Sequence, residues 1–267
     1  MLGNLYGKSI FERRRSLMWW TVGVAALIFV MIAFYPTIRD NDEMLKLLEG
    51  MPKEMLALAG ISDAASMMSP AGYLQGRLFS LLLPLLLLVF AIGVGTRAIA
   101  GEEESRTIDL LLSHPLRRWQ VVLQSFEAML TLIVGLGIVI VLALFIGALS
   151  IGMEIGLDKL LAGTVNSVLL SLFFGTLALA LGAWSGKRGL SMGIASTVAI
   201  VGYLINSLAE AVDWLQPLQK ISPFYYATAG NPLRDGLNLV HVGIMIVAIV
   251  LLVAVAVWSF ERRDVAV

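Results

Sequence analysis

Six apolar blocks alternate with polar stretches along the 267-residue chain. They are read as Leu17–Tyr35, Leu78–Ile99, Val121–Leu149, Leu160–Trp184, Ser191–Leu208 and Val240–Phe260. Each lies near or above the roughly 20 residues that an α-helix needs to cross the hydrocarbon core of a bilayer. The second is the clearest, because Leu78 to Thr96 holds thirteen Leu, Ile, Val or Phe residues and no charge. At about −0.3 to −0.6 kcal/mol each near the bilayer centre, those side chains favour insertion by about 4–8 kcal/mol. One Asp or Arg there would cancel about half of that gain. The third block is too long for a straight span and predicts a helix that tilts or emerges from the membrane. The fifth is the shortest and carries Asn206 near its end.

The pattern predicts an all-α polytopic membrane protein, one transmembrane domain over residues 1–267, with distinct segments between the spans. Over residues 1–15, Leu2, Leu5, Tyr6 and Ile10 share one helical face, while Asn4, Lys8, Glu12 and Arg15 share the other. That is the signature of an amphipathic helix lying flat on the inner leaflet; a basic flank that only sets topology is the alternative. The loop over 36–77 is long, acidic and rich in Met and Ala. Its apolar residues Met44, Leu47, Leu48, Met51, Met55, Leu56 and Leu58 predict one or two short surface helices. The segment over 209–239 alternates aromatics with helix breakers: Trp214, Pro217, Pro223, Phe224, Tyr225, Tyr226 and Pro232. Aromatics of this kind sit at membrane interfaces, and both a half-inserted hairpin and an anchored surface loop fit.

Composition removes the soluble alternatives. Hydrophobic residues make up 58% and charged residues 14% of the chain, against about 45–50% and about 25% in globular domains. Disorder, nucleic-acid binding and a water-soluble enzyme core are excluded. The absence of cysteine excludes disulfides, thiolate metal sites and a cysteine nucleophile. The first apolar run is about 19 residues, longer than the about 7–15 of a secretion signal, and no small-x-small cleavage site follows it. It is read as an uncleaved span ending at Tyr35-Pro36.

Charge sets the direction. One side carries Lys8, Arg13, Arg14, Arg15, Arg97, Arg106, Arg117, Arg118, Lys187, Arg188, Arg262 and Arg263. The other carries Arg39, Lys46, Lys53, Arg77, Lys159, Lys220 and Arg234. Twelve basic residues against seven place the first set in the cytoplasm, so both termini are expected there.

The inner loop over 100–120 is the most informative stretch. Thr107 to Leu112 predicts a short helix capped by Ser105 or Thr107, and Ser113 with Pro115 would start the next helix. Ile108, Leu111 and Leu112 share one face between the carboxylates of Glu102, Glu103 and Glu104 and the pair Arg117-Arg118. An apolar ridge with charged shoulders suits docking into another protein's groove. Burial against the bundle's own inner ends fits equally.

Other motifs fail on spacing or context. Gly3-x-x-x-Gly7-Lys8-Ser9 is one residue short of a phosphate-binding loop and follows no strand. Gly182-x-x-x-Gly186-Lys187-Arg188 fails similarly. Gly93-x-Gly95-x-x-Ala98 imitates a dinucleotide fingerprint but lies inside a span, where glycine permits close helix packing. Gly152/Gly156, Gly182/Gly186 and Gly189/Gly193 are weaker packing candidates. Glu102, Glu103 and Arg106 miss by one position the Glu-Glu-x-x-x-Arg spacing of intramembrane prenyl-protein proteases. His114 and His241 fall on opposite sides and cannot share a metal, which argues against metal or acid–base catalysis. Ionisable groups are scarce inside the spans, where Asn166 and Asn206 are neutral and Glu127 sits near one end. Proton and sodium antiporters need such groups, so an amphipathic or lipid-like cargo fits better.

The inner loop resembles ABC transporter permeases of the type-2 (ABC-2-like) exporter class, which read Glu-Glu-x-x-Gly-Thr-x-x-x-Leu-Leu-x-x-Pro-x-x-Arg at this place. Glu102, Glu103, Thr107, Leu111, Leu112, Pro115 and Arg118 match, and Arg106 replaces the usual glycine. Ile221 to Tyr226 (with Ser222, Pro223, Phe224 and Tyr225), Asn231-Pro232-Leu233, Gly236-Leu237-Asn238 and the closing Phe260 to Asp264 are similar too. The resemblance implies an N-terminal elbow helix, six spans, a cytoplasmic coupling helix and short outer hairpin helices before the last span. It implies ATPase-coupling roles for Glu102, Glu103, Glu104, Thr107, Ile108, Leu111, Leu112, Pro115 and Arg118. Ser222, Pro223, Phe224, Tyr225 and Tyr226 would form an outer gate or hairpin. It further implies no cofactor in this chain, ATP and Mg on a separate ABC ATPase subunit, and a second permease copy (a homodimer) or a related permease in the plasma membrane. Pro84 is expected to let the second helix bend. A membrane enzyme acting on lipid and a non-transporting membrane partner of an ATPase are the competing readings.

Overall fold

The computed structural model describes residues 5–39, 50, 69–105, 117–209 and 212–263. The regular elements among them are all helical. The spans are α1 (Leu5–Arg39), α2 with α3 (Pro70–Leu74 and Leu82–Ala98), α5 (Arg118–Ser150), α6 (Leu157–Ser185), α7 (Arg188–Leu208) and α10 (Leu239–Arg262). The short helices are α4 (Ala100–Glu104), α8 (Gln216–Gln219) and α9 (Pro223–Thr228). Six of these helical stretches are long and apolar enough to cross a membrane. Five of the six predicted span starts move outward by three residues or more, because flanking polar and charged residues continue a helix at little cost.

The first span differs most from expectation. Residues Leu5–Arg39 form one unbroken helix, rather than a flat helix over 1–15 followed by a span. Glu12, Arg13, Arg14 and Arg15 are good helix formers with no breaker among them, so nothing turns the chain. The helix also passes Pro36 and ends at Arg39, since a missing N–H within the last turn interrupts little downstream.

The second span is built in two pieces. A π-helical turn, Gln75–Phe79, follows α2, and the chain breaks at Leu81 (φ −142°, ψ −53°) before α3 begins at Leu82. Pro84 therefore falls in the first turn of a new helix, where backbone N–H groups have no intrahelical partner. The bend expected at Pro84 lies just before it for that reason.

The fourth span is the hub. In its most apolar stretch 67% of residues are buried, against 17% in the first and sixth spans. Its buried face is made of small and hydroxylated residues, including Gly163, Thr164, Ser167, Ser171, Gly175, Thr176, Ala178 and Gly182. Small residues let backbones approach where lipid supplies no hydrophobic drive to associate. Gly95 of α3 packs closely on Gly175 of α6: a Cβ on Gly95 would overlap the Gly175 carbonyl, and one on Gly175 would lie 2.9 Å from the Met129 sulfur. Gly95 is thus the packing glycine of its motif, whereas Gly93, Gly152, Gly189 and Gly193 face open space. The hydroxyls of Ser167, Ser171 and Thr176 bond back to Gly163, Ser167 and Leu172 carbonyls of their own helix, so none is left unsatisfied.

Helices α1 and α5 run side by side in the same direction. At one end the Leu5 N–H donates to Gln124 Oε1 at 3.0 Å, and at the other a Cβ on Gly147 would overlap Ile32. At about 1.5 Å per residue each is about 50 Å long, longer than the about 30 Å hydrocarbon core. Six crossings return the chain to the end where it began. That end holds Lys8, Arg13, Arg118, Arg188 and Arg263, and is called the basic end below.

Candidate functional site

The site grows from α4, the single turn that follows the second span. Ile99 leaves helical geometry (φ −123°, ψ −59°), and Ala100–Glu104 then forms a new short helix. Its three consecutive glutamates point in three directions, because successive helical side chains are about 100° apart. Each finds a different helix.

Glu102 accepts from the Lys8 ammonium of α1 at 3.2 Å, and Lys8 also lies 3.8 Å from Glu12. Glu104 Oε1 accepts the backbone N–H of Arg188 at 3.0 Å. Helix α7 has no side-chain cap of its own, so Glu104 supplies one from another element, a negative charge at a helix N-terminus. Glu103 Oε2 pairs with the Arg263 guanidinium just beyond α10, and both side chains are largely buried. Arg263 also donates to the Ala183 carbonyl at 2.9 Å and the Gly182 carbonyl at 3.4 Å at the end of α6.

Two further arginines complete the network. Arg13 Nη1 donates to the Val94 carbonyl at 2.8 Å, near the C-terminal end of α3. Arg118, at the start of α5, donates to the carbonyls of Phe260 and Arg263. Cations at helix C-termini satisfy free carbonyls and complement the helix dipole. Gly186 completes the slot: it caps α6 at φ +65°, and a Cβ there would overlap both Arg263 and Glu103. Both its conformation and its surroundings require glycine.

The polar network around α4 therefore touches all six spans: α4 itself bonds to α1, α7 and Arg263 beyond α10, while Arg263 reaches α6, Arg118 joins α5 to the end of α10, and Arg13 joins α1 to α3. Ser105 and Arg117, the described residues on either side of 106–116, adjoin the network members Glu104 and Arg118. Ser105 closes α4 by donating to the Gly101 carbonyl at 2.8 Å, and the Arg117 N–H donates to Gln120 Oε1 at 2.8 Å at the start of α5. Of the predicted coupling residues, Glu102, Glu103, Glu104 and Arg118 are brought together here. Thr107, Ile108, Leu111, Leu112 and Pro115 lie outside the described residues, as do Met44, Leu47, Leu48, Met51, Met55, Leu56 and Leu58, on which short outer helices are expected; the two ends of the 36–77 loop belong instead to the first and second spans. Sequence reasoning missed Lys8, Arg188 and Arg263 as the partners of the glutamates. Only the four-residue spacing of Lys8 and Glu12 was visible locally.

At the opposite end, the short helices α8 and α9 fold back among the span ends. Pro223 opens α9, and Ser222 caps it, accepting from the Phe224 N–H at 3.2 Å and donating to the Gly202 carbonyl of α7 at 2.8 Å. Phe224 is buried against Phe174 and Tyr203. Asn166 donates to the Ala227 carbonyl at 3.1 Å, and Asn206 to Thr228 Oγ1 at 3.3 Å. The two asparagines of the spans thus hold α9. Tyr225 and Tyr226 pack on each other and on His241, at the first turn of α10. Predicted as a gate or hairpin, these five residues share one packed unit.

A family model described as ABC-2 family transporter protein matches residues 4–265. Among curated proteins, none matches the chain. A match over nearly the whole length accounts for both the six apolar helices and the loop-bearing charged end, and the chain therefore belongs to the ABC-2 transporter family, as a membrane permease of an ABC transporter.

Proposed function

We propose that this permease is one half of an export pathway, driven by ATP hydrolysed on a separate ABC ATPase that seats on residues 106–116. The observation that carries the reading is the attachment of that segment: both of its roots sit in a polar network that reaches all six spans. A push on it would reach every helix, as an energy-coupling element requires. ATP and its Mg belong to the partner; the loops resembling nucleotide sites in this chain lack the spacing to cradle phosphate.

Three observations support the direction and setting. Basic residues concentrate at the end bearing α4, which the positive-inside rule assigns to the cytoplasm. Trp19, Trp184 and Trp258 are exposed near that end, with Arg262 stacked over the Trp258 ring at 4.5 Å, as in an interfacial aromatic belt. The cavity among Gln75, Ser167, Thr228 and Pro232 has about 10 Å³, room for about one water. The proposed pathway runs between this chain and a second permease, against the exposed apolar faces of α1, α7 and α10, which lipid also covers.

In the proposed cycle, ATP closes the ATPase dimer, the closure displaces 106–116, and the ends of the second and third spans tilt to open the pathway outward. Hydrolysis resets them. Leu111→Asp tests the reading: it should abolish co-purification of the ATPase while leaving membrane insertion intact. Unchanged co-purification would count against it.

A further inference from the structure

Resting on the proposed coupling role of 106–116, we propose that Arg263 is the positioning residue that hands movement of that segment to the fourth and sixth spans, with Glu103 as its contact. The three glutamates of α4 are not equivalent. Glu102 holds a lysine, a flexible stem with a rotatable ammonium, at a partly exposed site. Glu104 holds an exposed backbone N–H. Glu103 holds a rigid planar guanidinium at a largely buried one.

Arg263 is committed elsewhere as well. Arg263 reaches the Ala183 and Gly182 carbonyls of α6, while its own backbone carbonyl accepts from Arg118 of α5. The Glu103 oxygen that does not face Arg263, Oε1, is buried without a hydrogen-bond partner among the described residues. If α4 moved and left Arg263 behind, the whole carboxylate would be buried and unpaired, an expensive state. The guanidinium must therefore follow the carboxylate, and it carries the ends of α6 and α10 with it. Gly186 leaves the slot open on its remaining side, where any side chain would displace the pair. Lysine cannot replace this arginine fully, since one ammonium lacks the fork that spans carboxylate and carbonyls.

The chain has no cysteine, so single cysteines can carry nitroxides without other changes. Labels at Val250 of α10 and Leu142 of α5, both exposed, report the sixth span; labels at Val22 of α1 and Leu142 report the first. The permease–ATPase complex is reconstituted in lipid nanodiscs, with labelled chain diluted by unlabelled chain, and distances are compared with and without ATP. Arg263→Gln and Glu103→Gln should keep the ATPase bound and retain the first-span change, but lose the sixth-span change. Arg263→Lys should recover part of it, and Lys8→Gln should leave it intact. Unaltered sixth-span motion in Arg263→Gln and Glu103→Gln would overturn the proposal. So would equal loss in Lys8→Gln, which would mean general loosening. If the unsubstituted complex shows no ATP-dependent change in either pair, the coupling role itself fails and this inference falls with it.

Discussion

Arg263 illustrates how one side chain can be structural at several places at once. It makes an ion pair with Glu103, reaches two carbonyls at the end of α6 and offers its own carbonyl to Arg118. Removing it leaves a largely buried carboxylate without a partner, so Arg263→Ala should destabilise the protein by about 2–4 kcal/mol, near the cost of breaking a buried pair. Glu103→Gln keeps a neutral acceptor for the guanidinium and should cost only about 1 kcal/mol. Thermal unfolding in detergent, compared between the two variants, checks the order; equal losses would contradict it. Lys8→Ala removes a partly exposed pair and should change stability by less than about 1 kcal/mol. None of these long-range partners was legible in the sequence. Glu103 and Arg263 are 160 residues apart, and periodicity within a helix carries no information about which charge meets it from another.

Helices tell a different story. All six spans were legible, because a run of about 20 apolar residues has no other stable use than a membrane. The break at Leu81 was not, since apolar residues lie on both sides of it and only Pro84 hinted at a new start. The continuous start of α1 was also obscured, because an amphipathic segment reads the same whether it lies flat or continues a span. Element packing gives the next test. Gly95 and Gly175 allow α3 and α6 to touch backbone to backbone, so Gly95→Val must force the helices apart. Overpacking of this kind costs about 1–3 kcal/mol, whereas Gly93→Val, facing open space, should change thermal stability little. At the opposite end, Asn166→Leu leaves the Ala227 carbonyl of α9 without its side-chain donor. It should loosen α9 by about 1 kcal/mol, seen as faster proteolysis after Lys220 with the spans intact. Unchanged cleavage would show that Asn166 does not hold α9.

At the scale of the whole molecule, the proposed function requires the basic end to face the cytoplasm, and the polar network around α4 touches every span. Topology follows directly: in intact cells a membrane-impermeant thiol reagent should label Ile221→Cys, which is 76% exposed, and should not label Arg15→Cys. Reversed labelling would invert the orientation and with it the direction of transport. The family and the membrane fold were legible from the inner loop and the apolar blocks. The polar network that starts from three adjacent carboxylates and extends through Arg263 and Arg118 to the other spans needed the structure. The most direct test of the central claim, that energy enters through residues 106–116, is site-directed cross-linking in the assembled transporter. A cysteine at Leu111 carrying a photoreactive group should cross-link to the ATPase, and the same group at Ile221 should not. Equal cross-linking at both positions, or none at Leu111 in a complex that turns over ATP, would contradict the account.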